Sequence, residues 1–308
     1  MGLVNYETIK NAFIGWQALF YQTLAKPSGI NWRDFVQIIP STGPEENLSW
    51  IGDIPGVTEF VGRAVEQELR AYKWAITNKK WHSGPIAIDL AEFEDDKLGL
   101  QNARIKDLAM AFDRHILDLI ANLIINGLGT ALCYDGQYFC DTDHSEGDSG
   151  TQVNKTTAAL NKISFQAALA YMRIVKSDTG QYIYPTPTHL FVGPSNEALA
   201  NELVNAREII VTDTTIRPQS NFISTLGIKP VVLPQLSGSY AAYWGLADCS
   251  REVKPFGLTW RIPPQFVQQT SMESDSVFNE DKLKFKGRAR YNAGYLLWQL
   301  FHGSTGAS

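Results

Sequence analysis

The run CYDGQYFCDTDHSEGDSG, Cys133 to Gly150, brings two thiols, one imidazole, five carboxylates and a Gly-Asp-Ser-Gly quartet into a single short stretch. Zinc is the first chemistry such residues suggest, with Cys133, Cys140 and His144 as donors. A structural zinc site normally draws on a cysteine pair with two to four intervening residues, and six intervene here. Calcium is the second, because Asp141, Asp143 and Ser145 fall at alternate positions as in an EF-hand loop. Glu146 then stands where the loop glycine belongs, and Gln152 where the bidentate carboxylate belongs. Nucleophilic catalysis is the third, since Gly147-Asp148-Ser149-Gly150 matches a serine-protease nucleophile signature. That chemistry needs a histidine base and a buried aspartate on a β-barrel scaffold, whereas a long helical pattern precedes the quartet and neither His82 nor His115 lies in a base motif. What remains is a hairpin turning at Asp135-Gly136, the strongest short-range hairpin signal, followed by a solvated acidic loop.

Elsewhere catalytic signals are equally poor. The segment GLGTAL at Gly127 follows a helix instead of opening one and lacks a third glycine, and neither a P-loop nor a His-Glu-x-x-His pair occurs. His82, His115, His189 and His302 are isolated in sequence. No catalytic residue, metal or cofactor is expected, and an enzyme is hard to defend. Three cysteines, Cys133, Cys140 and Cys249, are odd in number and sparse, as in a protein with reduced thiols. With 27 basic and 32 acidic residues the net charge is −5, which disfavours a whole-surface nucleic-acid binder but suits a wall around packed DNA. The greasiest stretch, ILDLIANLIINGLG, is broken by Asp118, Asn122 and Asn126, so no membrane span is expected. The start MGLVNYETIKNAF shows no secretory signal, and a soluble, cytoplasmic chain is expected.

These residues must be positioned by an α+β framework. Ile9, Phe13, Trp16 and Phe20 predict an amphipathic helix over 5–24, and FVQII predicts a strand within a Pro- and Gly-rich arm. Over 69–90, alternation of Tyr72, Trp74 and Ile76, a turn near Asn78-Lys79-Lys80 and a return through Ile86, Ile88 and Leu90 predict a long β-hairpin. The acids Glu92, Glu94, Asp95 and Asp96 precede a helix over 102–126, striped by Ile105, Leu108, Phe112, Ile116, Leu119 and Leu123 and stopped at Gly127. A second helix is expected in ISFQAALAYMRIVKS with Ser164 as N-cap, and strand, turn and helix in HLFVGPSNEALANELVNA with Ser195 as cap. Short strands follow at KPVVLP, YAAYWGLA and LTWRIP. Finally, Lys282, Lys284, Lys286, Arg288 and Arg290 alternate with Leu283, Phe285, Gly287 and Ala289, so a strand there presents five cations on one face.

Five stretches in order resemble the major head subunit family of Mu-like phages, the gpT-type capsid proteins. They are PSTGPEENLSWIGDIPGVTEFVGRA, YKWAITNKKW, FEDDKLGL, CYDGQYFCDTDH and GRARYNAGYLLWQLFHGST. Trp50-Ile51-Gly52, the Asp95-Asp96 pair, Asp135 to Phe139 and Asp141 to His144 carry the specificity. Two positions depart from the pattern: Cys140 stands in place of an aromatic residue, and Glu59-Phe60 in place of Glu-Trp. The resemblance implies the Hong Kong 97-like phage capsid fold. Residues 1–44 would be an N-terminal arm, 45–92 the extended loop, 93–129 and 265–308 the peripheral domain with its spine helix, and 130–264 the axial domain.

By the same resemblance the chain would be a major capsid protein, self-assembling into pentamers and hexamers of an icosahedral shell around double-stranded DNA, held without sequence-specific binding. A separate scaffolding protein and a portal would serve assembly in the bacterial host cytoplasm, and the chain would reside in the virion. Retention of Met1 suggests that a maturation protease does not remove the arm. Because an isolated two-stranded hairpin is marginal in water, Trp74, Ile76 and Trp81 are expected to bury against an adjacent subunit. Lys284, Lys286 and Arg288 are expected to meet an acidic surface across the boundary, with Glu92 to Asp96 as the candidate; pairing with local acids or solvent is the plainer reading. Two competing readings are an encapsulin-like compartment of the same fold and a metal-dependent hydrolase with a site near His144.

Overall fold

The computed structural model describes residues 6–26, 29–51, 71–95, 99–212, 216–269, 271 and 273–307. Helix α1 (Tyr6–Leu24) forms over the predicted span, and all four residues of its stripe are buried. Strand β1 (Val36–Pro40) follows a 3-10 turn capped by the Asn31 side chain. Strands β2 (Glu45–Ile51) and β3 (Ala71–Thr77) make an antiparallel ribbon with Leu48 opposite Trp74. Strands β4 (Lys79–His82) and β5 (Ile86–Asp89) pair elsewhere, against Arg288–Tyr291 and Lys282–Phe285 respectively.

The hairpin expected over 69–90 is therefore corrected: 71–77 finds its partner upstream, and Asn78 is no turn tip. Its buried Nδ2 donates to Ser41 Oγ at 2.6 Å and to the Gly43 carbonyl at 3.0 Å, while its Oδ1 accepts from Thr259 Oγ1 at 2.8 Å. A side chain so satisfied pins the chain as it passes from one sheet to another. Leu69 and Arg70 of that expectation, with Glu59-Phe60, Gly52 and Asp96, lie outside the described residues.

A short α2 (Leu90–Asp95) leads into α3 (Leu100–Leu128), a rod roughly 43 Å long at 1.5 Å per residue. Ile105, Leu108, Phe112, Ile116, Ile120 and Ile124 are buried along it, and half-buried Leu119 and Leu123 widen the stripe. Gly127 does not stop the helix; it lies within it, where a Cβ would come 3.0 Å from the Phe139 ring. The stop falls at Gly129.

The next region contains β6 (Lys155–Thr156), α4 (Lys162–Arg173), β7 (His189–Val192), α5 (Glu197–Asn205), a hairpin of β8 (Glu208–Thr212) and β9 (Ile216–Ser220), β10 (Lys229–Val232) and β11 (Trp244–Ala247). The α4 cap is Asn161, with Ser164 three residues on as the reciprocal partner of a capping box, and Asn196 rather than Ser195 precedes α5. The chain closes with β12 (Phe256–Gln269), α6 (Asp275–Glu280), β13 (Lys282–Tyr295) and β14 (Phe301–Ser304).

Two sheets organise these elements into an α+β fold. The first runs β1-β12-β13-β4, with β5 also on β13, and is covered by α1 and α3; the second runs β10-β7-β11-β14-β6. A large apolar cluster fills the first, and a second cluster of Phe165, Leu169, Met172, Leu190, Leu203 and Trp244 sits between α4, α5 and the second sheet. All of β12 from Phe256 belongs with the first sheet, while Phe301–Ser304 returns to the second. The segment expected as an arm is partly built in, since α1 and β1 belong to the main core and first sheet.

Candidate functional site

The opening stretch folds as a tight turn locked into the core. Cys133 N–H donates to the Gln137 carbonyl at 2.8 Å, and Leu132 bridges Tyr138. Asp135 Oδ1 accepts from the Gln137 N–H at 3.0 Å, and Oδ2 faces His144 Nδ1 at 2.7 Å. The fully buried His144 ring stacks on Trp298, centroids 3.9 Å apart. Beside it Glu146 Oε1 accepts from Tyr134 Oη and Trp298 Nε1, each at 2.6 Å, and from Gln299 Nε2 at 3.2 Å. Burial works to raise the Asp135 carboxyl, but the His144 hydrogen bond and charge outweigh it and hold the group below the usual aspartate range. Burial raises Glu146, against the opposing Tyr134 and Trp298 donors.

This geometry latches 133–146 to the C-terminal Trp298-Gln299; it does not present reactive groups. Among the described residues no three His, Cys, Asp or Glu side chains are placed to hold a metal. Desolvation pushes the Cys133 and Cys140 thiols well above their ordinary range, as for thiols packed in a core. Ser149 Oγ serves a turn, accepting from the Glu146 N–H at 3.0 Å and facing the Gly150 carbonyl at 3.0 Å. Residues near His144 thus fit neither a metal nor a nucleophile, and the donor set contradicts the hydrolase reading. Sequence spacing alone did not reveal the latch, because Trp298 and Gln299 lie about 150 residues away from Glu146.

The residues expected at subunit contacts are unequal. Ile76 is only 3% exposed within its own chain, and a Cβ on Gly294 would lie 2.6 Å from its Cδ1. Trp81 Nε1 donates to the Tyr291 carbonyl at 2.7 Å, and its ring rests on His115, centroids 4.2 Å apart. Ile76 therefore packs on Gly294 of the first sheet within its own chain and Trp81 of β4 is held by β13, while the β2–β3 ribbon that carries Trp74 and Ile76 is a separate two-stranded sheet. Trp74, on the β2–β3 ribbon, is half-buried.

The cationic alternation is realised in β13. Leu283, Phe285, Gly287 and Ala289 point into the core, and Lys286 and Arg288 are exposed on the other face. Lys284 Nζ meets Glu280 at 2.8 Å and Lys282 approaches the same carboxylate at 3.9 Å, while Glu92 pairs with Arg104 at 3.2 Å. Lys284 therefore has a local acid, and Lys286 and Arg288 carry the outward charge. His82 and Lys80 of β4 stand opposite Arg288 and Arg290, extending the basic face across a second strand.

A sheet-and-spine architecture whose polar clusters are structural, with a charged face on its central strand β13, points to a protein that works by contact. The sequence profile of the family described as Mu-like prophage major head subunit gpT matches residues 9–159, 152–225 and 227–307. The chain belongs to the Mu-like gpT major head subunit family. The gpT-family chain is 26% identical over 306 residues to the Mu-like prophage FluMu major head subunit of Haemophilus influenzae, covering 99% of this chain and 76% of that protein. It is 24% identical over 299 residues to the major capsid protein of Escherichia phage Mu, covering 97% and 73% respectively. In structure it is similar to a chain of the procapsid of bacteriophage JBD30, with a TM-score of 0.58 at 22% identity, covering 98% of this chain and 76% of that one.

The gpT-family subunit thus has the Hong Kong 97-like phage capsid fold, and it is a structural capsid protein of the phage head rather than an enzyme. Membership of this head-protein family overturns the encapsulin-like compartment as a competing reading. Among the described residues no helix is long and apolar enough to cross a membrane.

Proposed function

We propose that the subunit assembles through pentamers and hexamers into a closed shell around double-stranded DNA, with a separate scaffolding protein and a portal acting during assembly in the bacterial host cytoplasm. The observation that carries this is the family match, which runs in three overlapping or adjoining segments from residue 9 to residue 307. Charge supports the DNA content: a net −5 gives a wall that does not bind packed phosphate tightly through counterion release. In this reading the β2–β3 ribbon bearing Trp74, and the exposed Lys286 and Arg288, contact neighbouring subunits.

Nuclease protection tests the content. Particles made with the chain's genomic neighbours are treated with DNase and then opened. Protected double-stranded DNA is the expected result, and particles containing only protein would contradict the head assignment.

A further inference from the structure

Between the C-terminal end of α1, the middle of α3 and an irregular part of β12 lies a groove of about 350 Å³, walled by Tyr21, Leu24, Ile116, Trp260, Pro263 and Pro264. The register of β12 with β13 breaks between Trp260 and Gln265, where the two prolines offer no N–H to a ladder. At one pole the Arg33 guanidinium lies over the Trp32 ring, 4.3 Å from its centroid, and its buried Nη1 has no hydrogen-bond partner among the described residues. Asp113, also in the lining, is already engaged, accepting from Trp32 Nε1 at 3.0 Å. The groove offers an apolar wall with the half-exposed Arg33 cation, which the Asp113 carboxyl also feels, at one pole; that suits an apolar group flanked by carboxylates.

That combination occurs on the chain itself. The β12–β13 connection carries α6, where Phe278 is 81% exposed while its neighbour Val277 is buried in the core. Exposed Glu273, Asp275, Glu280 and Asp281 surround it. The tip cannot turn back into its own groove, because Gln265 and Gln269 are separated by roughly 13 Å of extended strand and the tip lies beyond.

We propose that Phe278 and its flanking carboxylates seat in this groove on a second copy of the chain, the ring against Leu24, Trp260 and Pro263 and the carboxylates beside the half-exposed Arg33 guanidinium. Tip and groove are different surfaces, so the contact is head-to-tail and propagates around a ring of subunits. The inference rests on the shell reading above.

The test uses the full chain made with its genomic neighbours and carrying Tyr21→Cys with Asn279→Cys, an exposed neighbour that leaves the Phe278 ring in place, treated with a bismaleimide. Native Cys133, Cys140 and Cys249 are buried and contribute little background. A ladder of covalent oligomers is expected from the double variant and from neither single variant. Phe278→Asp should lower particle yield by roughly tenfold or more, as loss of an interface anchor does. Particles that give no ladder overturn the docking and leave the shell reading standing, as does linkage of Tyr21→Cys to a protein of another mass. Absence of both particles and ladder contradicts the two together.

Discussion

Gly287 interrupts the side-chain alternation of β13 at the point where that strand crosses α3. A Cβ built there would overlap the Phe112 ring, 2.7 Å from its Cζ. Gly287→Ala should therefore destabilise the chain by about 1–3 kcal/mol in urea titration, and Phe112→Leu in the same chain should recover part of the loss. His302 poses a different residue-scale problem. It is 1% exposed, stacks on Tyr171 at 5.6 Å and, among the described residues, has no partner for either ring nitrogen. Burial lowers its pKa to about 4 from 6.5. The unfolded chain then binds the extra proton more readily, so the contribution is full above about pH 6.5 and is lost as pH falls toward 4. That depression corresponds to about 3 kcal/mol at its limit. Urea midpoints measured across this range should fall less steeply for His302→Phe than for the natural chain; equal slopes would remove His302 from the acid response.

Elements differ in how far sequence revealed them, and the reason is where their partners lie. Helices α1 and α3 and strand β13 were legible because their periods of burial are local: the side chains that repeat every three or four residues, or every two, all meet one core. The course of 71–90 was not, because the partners of Asn78 are Ser41, Gly43 and Thr259, far away in sequence, and Asn-Lys-Lys reads locally as a turn. The latch of Asp135, His144 and Glu146 hid for the same reason: acids and a histidine close in sequence look like a ligand set until distant Trp298 and Gln299 are seen to complete them. Of the residues expected at contacts, Ile76 is buried within its own chain and Trp81 is half-buried there. Trp74 on the β2–β3 ribbon remains the test of that element. Trp74→Ala should reduce particle yield severalfold while lowering the unfolding free energy of the subunit in urea by no more than about 1 kcal/mol. Normal yield would take the ribbon out of the subunit contacts. Likewise Lys286→Glu with Arg288→Glu should impair assembly, and normal assembly would return this basic face to solvent.

At the scale of the whole molecule, two apolar clusters serve two sheets, and the chain crosses between them more than once, with β14 entering the second sheet after β13 has closed the first. Such interleaving makes one unit whose parts are placed rigidly, as a subunit repeated around a shell requires. The buried polar groups are spent on holding that unit together. The outward features are a ribbon, a basic strand face, a groove and an acidic tip with an exposed phenylalanine, and each is proposed as a means of contact. Electron microscopy of the purified full chain, expressed with its genomic neighbours, tests this most directly. Closed shells with fivefold and sixfold rings are the predicted result, whereas a uniform monomer under every assembly condition would contradict it.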